Sequence, residues 1–446
     1  MSSSSANGKR IMMILPRDQV SAETHIDGPH ITSRVDYVME LSKSLARIGY
    51  SVDIFTCQFK DQSATDPVSD RVRILRFPCG RADLIPKDTL WELAPEWVAN
   101  VQSFVESEQL EYRFVNSHCW NAGLAGQALA DKLGLPHLHV AHSVGTCERD
   151  DTRGVEKETT RHEGFARRID VESAIYKSCN AVVVATPRQN RTLASDEYGI
   201  SRDKVYVIPG GYDDARFFPV SAATRYAVKQ KLGMDGPTVL ALDCLIPGKR
   251  EELVVRAMPT VLRHVSNARL VLPTDWHATR RRELEQAERL WLVARDLEVD
   301  NHVEFRGCVT EQELPDYYQA TDVFALSSRR VPVSMAAIEA MACGAAIVIT
   351  TESDLRELIH SGENAMCASP RDPEEFGEAI AAVLTNPRLE ERLSERGVQT
   401  ALKRFTWNGV AQQILNVLRE IEPKANKPSA RDPFDNVLGS SDTAKL

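Results

Sequence analysis

The sequence lacks most of the signatures that would assign it quickly. There is no G-x-G-x-x-G fingerprint, no G-x-S-x-G elbow and no tight His/Cys cluster, so the usual dinucleotide, serine-hydrolase and zinc patterns are missing and no metal is assigned. The nine cysteines are odd in number and contain no C-x-x-C pair, which argues against a disulfide framework. No apolar run reaches the roughly 18 residues of a membrane span, and no signal-peptide pattern opens the chain, so a soluble, reduced, cytoplasmic protein is expected. Basic charge is in deficit: 54 Lys and Arg against 63 Asp and Glu leave a net −9. That balance argues against nucleic acid or an anionic membrane as the main partner and leaves room for a local pocket that binds a small molecule.

What is present is enough apolar material, 43% of 446 residues, for two ordinary cores. Residues 1–8 and 423–446 are rich in Ser, Pro, Lys and Asp and are expected to be disordered. Apolar runs at 10–16 and 51–56 flank a stretch in which Val38, Leu41, Leu45 and Ile48 recur at helical spacing, ending at Gly49. This is a βαβ unit and starts a parallel sheet. Its loop, 17–31, is long and belongs at the ligand end of the sheet. Further strands are predicted at 113–117, 137–141, 181–185 and 205–208. After a connecting stretch at 217–236 come strands at 238–242, 269–273, 303–305, 323–326 and 346–350. Two runs of βα units predict two doubly wound domains, 9–217 and 218–406. No internal repeat is evident.

The stretch 324–350, FALSSRRVPVSMAAIEAMACGAAIVIT, reads as strand, loop, helix and strand, with the helix over 334–343 and Gly344 as its stop. The first-turn N–H groups of such a helix, at Ser334, Met335 and Ala336, make a ready site for a phosphate, and Ser334 is placed to cap them. Glu339 follows among small and apolar residues, where an unpaired carboxylate is costly to bury. A ribose with two adjacent hydroxyls would suit it. A packed Ala-rich helix with Glu339 facing water fits the same pattern.

PVSMAAIEAMACG, VIPGGYDDARFFP, FRGCVTEQELPDYYQATDVFALSS and HSVG together resemble the retaining family-4 glycosyltransferases of GT-B fold. RADLIPKDTLW and SHCWNAGLAGQALADKLGLP are most similar to the sucrose-phosphate-synthase type. The likeness runs from about Lys9 to Leu418. It implies an α/β GT-B protein, two Rossmann-like domains facing a cleft, with a last helix at about 407–421 returning to the first domain. It also implies a nucleoside-diphosphate sugar, GDP-, UDP- or ADP-linked, as donor substrate on the second domain, a small acceptor on the first, and no cofactor. Lys249 would meet the diphosphate as a point charge, Glu339 the ribose, and His142 the donor sugar; the backbone at Gly307 and Val309 would contact the base. Thr32, Ser33, Arg34, Lys87, His118 and Arg168 would line the acceptor side, Thr32-Ser33 standing where the family has two glycines. Each has a plainer reading: Thr32 or Ser33 as a helix cap, His118 as a structural hydrogen-bond partner, Lys249 as a solvated lysine. Arg168 can instead pair with Glu172 at i,i+4 on a surface.

Two positions depart from the family pattern. Val331 replaces the glutamate eight positions before Glu339, and Cys244 replaces the arginine five positions before Lys249. Arg329 and Arg330 are the nearest cations that could take over. The leading expectation is a retaining transferase in specialised or antibiotic metabolism, with donor contacts altered at Val331 and no need of a protein nucleophile. Alternatives are a pseudo-glycosyltransferase or an S- or N-glycosyltransferase, a catalytically silent nucleotide-sugar-binding protein, and an epimerase of the same fold.

Overall fold

The computed structural model describes residues 9–15, 34–59, 61–79, 90–152, 159–242, 252–273, 281–307, 309–327 and 334–422. In strand β1 (Arg10–Ile14), Ile11, Met12, Met13 and Ile14 are all fully buried, the profile of a strand covered on both faces. It lies inside an eight-stranded sheet with β2 (Ser51–Cys57), β3 (Thr65–Ser69), β4 (Val72–Phe77), β5 (Phe114–His118), β6 (His137–Val140), β7 (Ala181–Val184) and β8 (Val205–Val207). The order is β3-β4-β2-β1-β5-β6-β7-β8, and every neighbouring pair is parallel except β3 with β4. The chain winds outward from β1 in one direction and then from β5 in the other. The topological switch point, where open α/β sheets bind ligands beyond the carboxyl ends of the strands, therefore falls between β1 and β5.

The second sheet has six strands, β9 (Thr238–Leu240), β10 (Arg269–Pro273), β11 (Val303–Arg306), β12 (Val323–Leu326), β13 (Ala346–Thr350) and β14 (Met366–Ala368), in the order β11-β10-β9-β12-β13-β14 and all parallel. Its switch point falls between β9 and β12. Among the described residues, those up to Pro209 and from Val410 onward form one compact unit, and those of Gly210–Gly409 form the other. In the first unit, Arg113 pairs with Glu422 just past helix α14 (Trp407–Ile421), and Tyr206 donates to Glu420 within it at 2.8 Å.

Three strands are absent from the apolar runs of the sequence, for visible reasons. β3 is a polar edge strand containing Pro67, largely exposed and antiparallel to its neighbour. β4 interleaves Arg73 and Arg76 with apolar residues; Arg73 is neutralised by Asp53, which also receives Arg10, and Arg76 by Asp66. β14 is only three residues long.

Candidate functional site

Candidate site residues gather at the carboxyl ends of the strands beside each switch point. In the second unit, β12 leads toward helix α11 (Met335–Ala342). Ser334 is its N-cap: the Ser334 hydroxyl accepts from the Ala337 N–H at 3.4 Å. The N–H groups of Met335 and Ala336 fall in the same first turn, where no intrahelical acceptor exists. Cys343 closes the helix, and Gly344 follows at φ +91°, a left-handed turn that glycine adopts without strain.

Glu339 is half-buried on this helix and accepts from the hydroxyl of the fully buried Tyr318 at 3.1 Å. Burial pushes its carboxyl up to about 7; the Tyr318 hydrogen bond and Arg216 oppose that rise, and Glu311 adds to it. Arg216 is itself held by the Glu311 carbonyl and lies 4.9 Å from the Phe217 ring centroid. A carboxylate kept this close to neutrality gains from any ligand that brings two hydroxyl donors. Gly307 is exposed just after β11, whereas the Val309 side chain is buried.

In the first unit the register of β5 on β6 creates two polar groups on opposite faces of one sheet. Asn116 pairs with Leu138, Ser117 with His139 and His118 with Val140, and alternate residues face opposite ways. On one face, Ser117 lies 2.7 Å from His137 Nε2 and 2.8 Å from His139 Nδ1, and His137 Nδ1 lies 2.9 Å from Gln127 Oε1. Helix α3 (Trp120–Leu133) packs so tightly here that a Cβ on Gly126 would meet the Ser117 Cβ at 2.7 Å and His137 Nε2 at 2.8 Å. Burial drives His137 down to about 3 and His139 well below the usual imidazole range. Both are neutral, fully buried and structural.

On the other face, His118 is fully buried, with Nε2 3.1 Å from Asn116 Oδ1 and Nδ1 3.0 Å from His142 Nε2. His142 is half-buried in the loop after β6, and Tyr37 of helix α1 (Arg34–Arg47) meets its ring edge-on at 4.7 Å.

The loop carrying His142 runs into helix α4 (Gly145–Thr152) and is fixed from helix α5 (Thr159–Ser178). Glu172, fully buried, accepts from the Gly145 N–H at 2.9 Å, from Tyr198 at 2.6 Å and from Arg168 at 2.7 Å. Arg168 also reaches Glu148 at 2.6 Å and the Ser143 hydroxyl at 2.9 Å. The i,i+4 pair predicted from the sequence is therefore made, but not on a surface. Its carboxylate is in the interior because it terminates the first turn of α4, where an N–H group needs an acceptor and the helix dipole favours a negative charge. Burial raises the Glu172 carboxyl, against the pull of Arg168, Tyr198 and Gly145.

Of the sequence-predicted residues, His118 and His142 are brought together, Arg168 lies behind the same loop, and Arg34 opens α1. Ser334, Met335 and Ala336 form one helix start, and Glu339 lies one turn further along the same helix. Thr32, Ser33, Lys87, Cys244, Lys249, Arg329, Arg330 and Val331 lie outside the described residues. Asn116 and Tyr318 were not anticipated. Asn116 had a usable signal, being two residues before His118 on one strand and hence on its face; Tyr318 is joined to Glu339, and Glu172 to Gly145 and Tyr198, only by tertiary packing.

Comparison with known proteins adds an independent line. The family model "Glycosyl transferases group 1" matches residues 224–400, and "Glycosyl transferase 4-like domain" matches residues 35–211. Mannosylfructose-phosphate synthase of Agrobacterium fabrum is 38% identical over 433 residues, 96% of this chain and 95% of that protein. A probable sucrose-phosphate synthase of Thermosipho melanesiensis is 25% identical over 89% of this chain and 93% of its own, and a D-inositol 3-phosphate glycosyltransferase of Xylanimonas cellulosilytica is 28% identical over 85% and 90%. Among solved structures, sucrose-phosphate synthase from Thermosynechococcus elongatus superposes with a TM-score of 0.72 at 23% identity, covering 93% of this chain and all of that one. Anabaena HepE in complex with UDP and glucose superposes with a TM-score of 0.65 at 17% identity, over 92% of this chain and all of its own. These likenesses carry the fold: two Rossmann-like parallel-sheet domains of GT-B type.

Proposed function

The chain belongs to the group 1 glycosyl transferases, a retaining GT-B family, and from that premise we propose that it moves a hexosyl group from a nucleoside diphosphate to a small phosphorylated polyol or ketose. The observation that carries this reading is the 38% identity over 96% of the chain to an enzyme named for a sugar-phosphate product. Two further relatives, named for sucrose phosphate and inositol 3-phosphate, support the same acceptor chemistry.

The reading assigns the donor to the second unit and the acceptor to the first. As the glycosidic bond lengthens, negative charge builds on the departing diphosphate. The first-turn amides of Met335 and Ala336 are the right kind of group to stabilise it, with Lys249 as a point charge. Glu339 holds the ribose. His142 borders the donor sugar, with no covalent intermediate on a protein nucleophile. On the acceptor side Arg168 supplies positive charge beside Ser143, although Glu172 and Glu148 already balance much of it, so Lys87 and Arg34 are the stronger candidates for the acceptor phosphate.

A second reading is favoured by Val331, an apolar residue where the family glutamate would grip sugar hydroxyls: a donor modified at those positions, as in specialised metabolism, with Arg329 or Arg330 taking over from the arginine replaced by Cys244. One experiment separates the two. Purified protein is incubated with GDP-, UDP- and ADP-linked hexoses and a ketohexose phosphate, and nucleoside diphosphate release is measured. Turnover that requires the phosphate on the acceptor supports the first reading. Turnover only of a modified donor, with ordinary donors restored by Val331→Glu, supports the second. Release with neither, alongside tight nucleotide binding, would make this a silent binding protein.

A further inference from the structure

Three hydrogen bonds among the described residues behind His142 fix where their protons lie. Asn116 Nδ2 donates to the Leu138 carbonyl at 3.0 Å, which turns its Oδ1 toward His118 Nε2 at 3.1 Å. An amide oxygen only accepts, so His118 Nε2 carries a hydrogen. His118 is fully buried, and its burial, with His142 and His139 close by, holds it well below the usual imidazole range. A neutral ring with its hydrogen on Nε2 presents a lone pair at Nδ1. The group 3.0 Å from that lone pair, His142 Nε2, must therefore be the donor.

We infer that Asn116 and His118 are positioning residues that hold the neutral His142 ring as its Nε2–H tautomer, so that Nδ1 is the nitrogen with the lone pair. The carbonyl of Leu138, the Asn116 amide and the His118 ring form a directional series whose start is a backbone group and whose end is the imidazole of the candidate site. Tyr37, packed edge-on at 4.7 Å and 88°, restricts the rotation that would exchange the two nitrogens. The same logic run on the opposite face of the sheet gives a different result. There Gln127 Nε2 donates to Asp131, so Gln127 Oε1 accepts from His137 Nδ1, and the Ser117 hydroxyl then donates to His137 Nε2 and accepts from His139 Nδ1. The device is confined to the face that carries Asn116 and His118.

The functional part of the inference rests on the transferase reading: with its lone pair on Nδ1, His142 is set to accept from a sugar hydroxyl rather than donate to a carbonyl or phosphate oxygen. A donor sugar lacking that hydroxyl would lose the contact, whereas one carrying a hydrogen-bond acceptor there would meet lone pair against lone pair.

The test reads the tautomer directly. In 15N-histidine-labelled wild type, with His142 resonances assigned by their loss in His142→Gln, Nε2 should be pyrrole-like and Nδ1 pyridine-like at a pH where the ring is neutral. His118→Phe removes the acceptor and should give a tautomer mixture, with a fall in kcat/KM of about tenfold, the scale of one neutral hydrogen bond. His118→Gln can present its carbonyl oxygen to His142 and its amide to Asn116, and should restore both readouts. A wild-type His142 with its hydrogen on Nδ1, or an unchanged tautomer in His118→Phe, overturns the inference. Because the spectrum needs no substrate, inactivity toward every donor would overturn only the transferase reading. A failure of His118→Phe to fold would leave the wild-type spectrum and the glutamine variant to decide.

Discussion

Glu339 should release a proton when the donor binds. Its carboxyl is held at about 7 against an ordinary 4.5, a difference of roughly 3 kcal/mol in favour of the neutral form. Near pH 6.5, roughly three quarters of the unliganded protein therefore carries a proton at this site. Two ribose hydroxyls donating to the carboxylate would favour the charged form and displace that proton. Calorimetry of a sugar nucleotide in buffers of different ionisation enthalpy should then show release of about 0.7 proton near pH 6.5, and affinity should rise about tenfold between pH 6 and pH 8 before levelling off. A sugar nucleotide is the right probe because each of its phosphates carries one ester and one anhydride link, keeps only a strongly acidic hydroxyl and does not titrate in this window. Glu339→Gln should bind without proton release and with a flat pH profile. Equal proton release by wild type and variant, or wild-type affinity that falls as pH rises, would refute the ribose assignment.

The same shift gives a second, ligand-free readout whose sign is opposite to that of a salt-bridged carboxylate. The folded protein keeps the Glu339 proton to a higher pH than the unfolded chain does, so stability falls as pH rises from about 4.5 through about 7. Glu339→Gln should therefore gain stability relative to wild type at pH 8 but not at pH 4.5, by an amount bounded at roughly 3 kcal/mol and smaller where solvent reaches the half-buried carboxylate.

Further outcomes follow from the packing of the first unit. Glu172→Ala strips partners from the Gly145 N–H, Tyr198 and Arg168 at once and should cost about 3–5 kcal/mol in urea unfolding, with a mobile His142 loop in hydrogen exchange. Gly126→Ala forces a methyl against Ser117 and His137 and should cost about 1–3 kcal/mol by thermal unfolding. The Arg113–Glu422 pair is 30% exposed on both sides, so Glu422→Ala should change stability by less than about 1 kcal/mol. A loss larger than that would give the pair an anchoring role that its exposure does not suggest.

How far the sequence reached depended on whether an interaction was local. The fully buried parallel strands were legible because both faces are covered and the runs are nearly all apolar; β1 and β13 are examples. The start of α11 was legible because the serine cap, the small-residue helix and the glycine stop are neighbours in the chain. Strand β4 was hidden because Arg73 and Arg76 look solvated until the sheet brings Asp53 and Asp66 beside them, and β3 because it is a polar, exposed edge strand containing Pro67. The same rule divides the site. His142 could be picked out from its short motif, but its protonation is set by Asn116 and His118, 26 and 24 positions away, through the β5–β6 register. Arg168 and Glu172 were read correctly as a pair and wrongly as a surface feature, since i,i+4 spacing fixes who meets whom on a helix and not which way that face points. Arg168, together with the Gly145 N–H and the Tyr198 hydroxyl supplied by other elements, makes a buried carboxylate tolerable there. Chemistry within one turn of chain is written in the sequence; chemistry assembled across strands waits for the register.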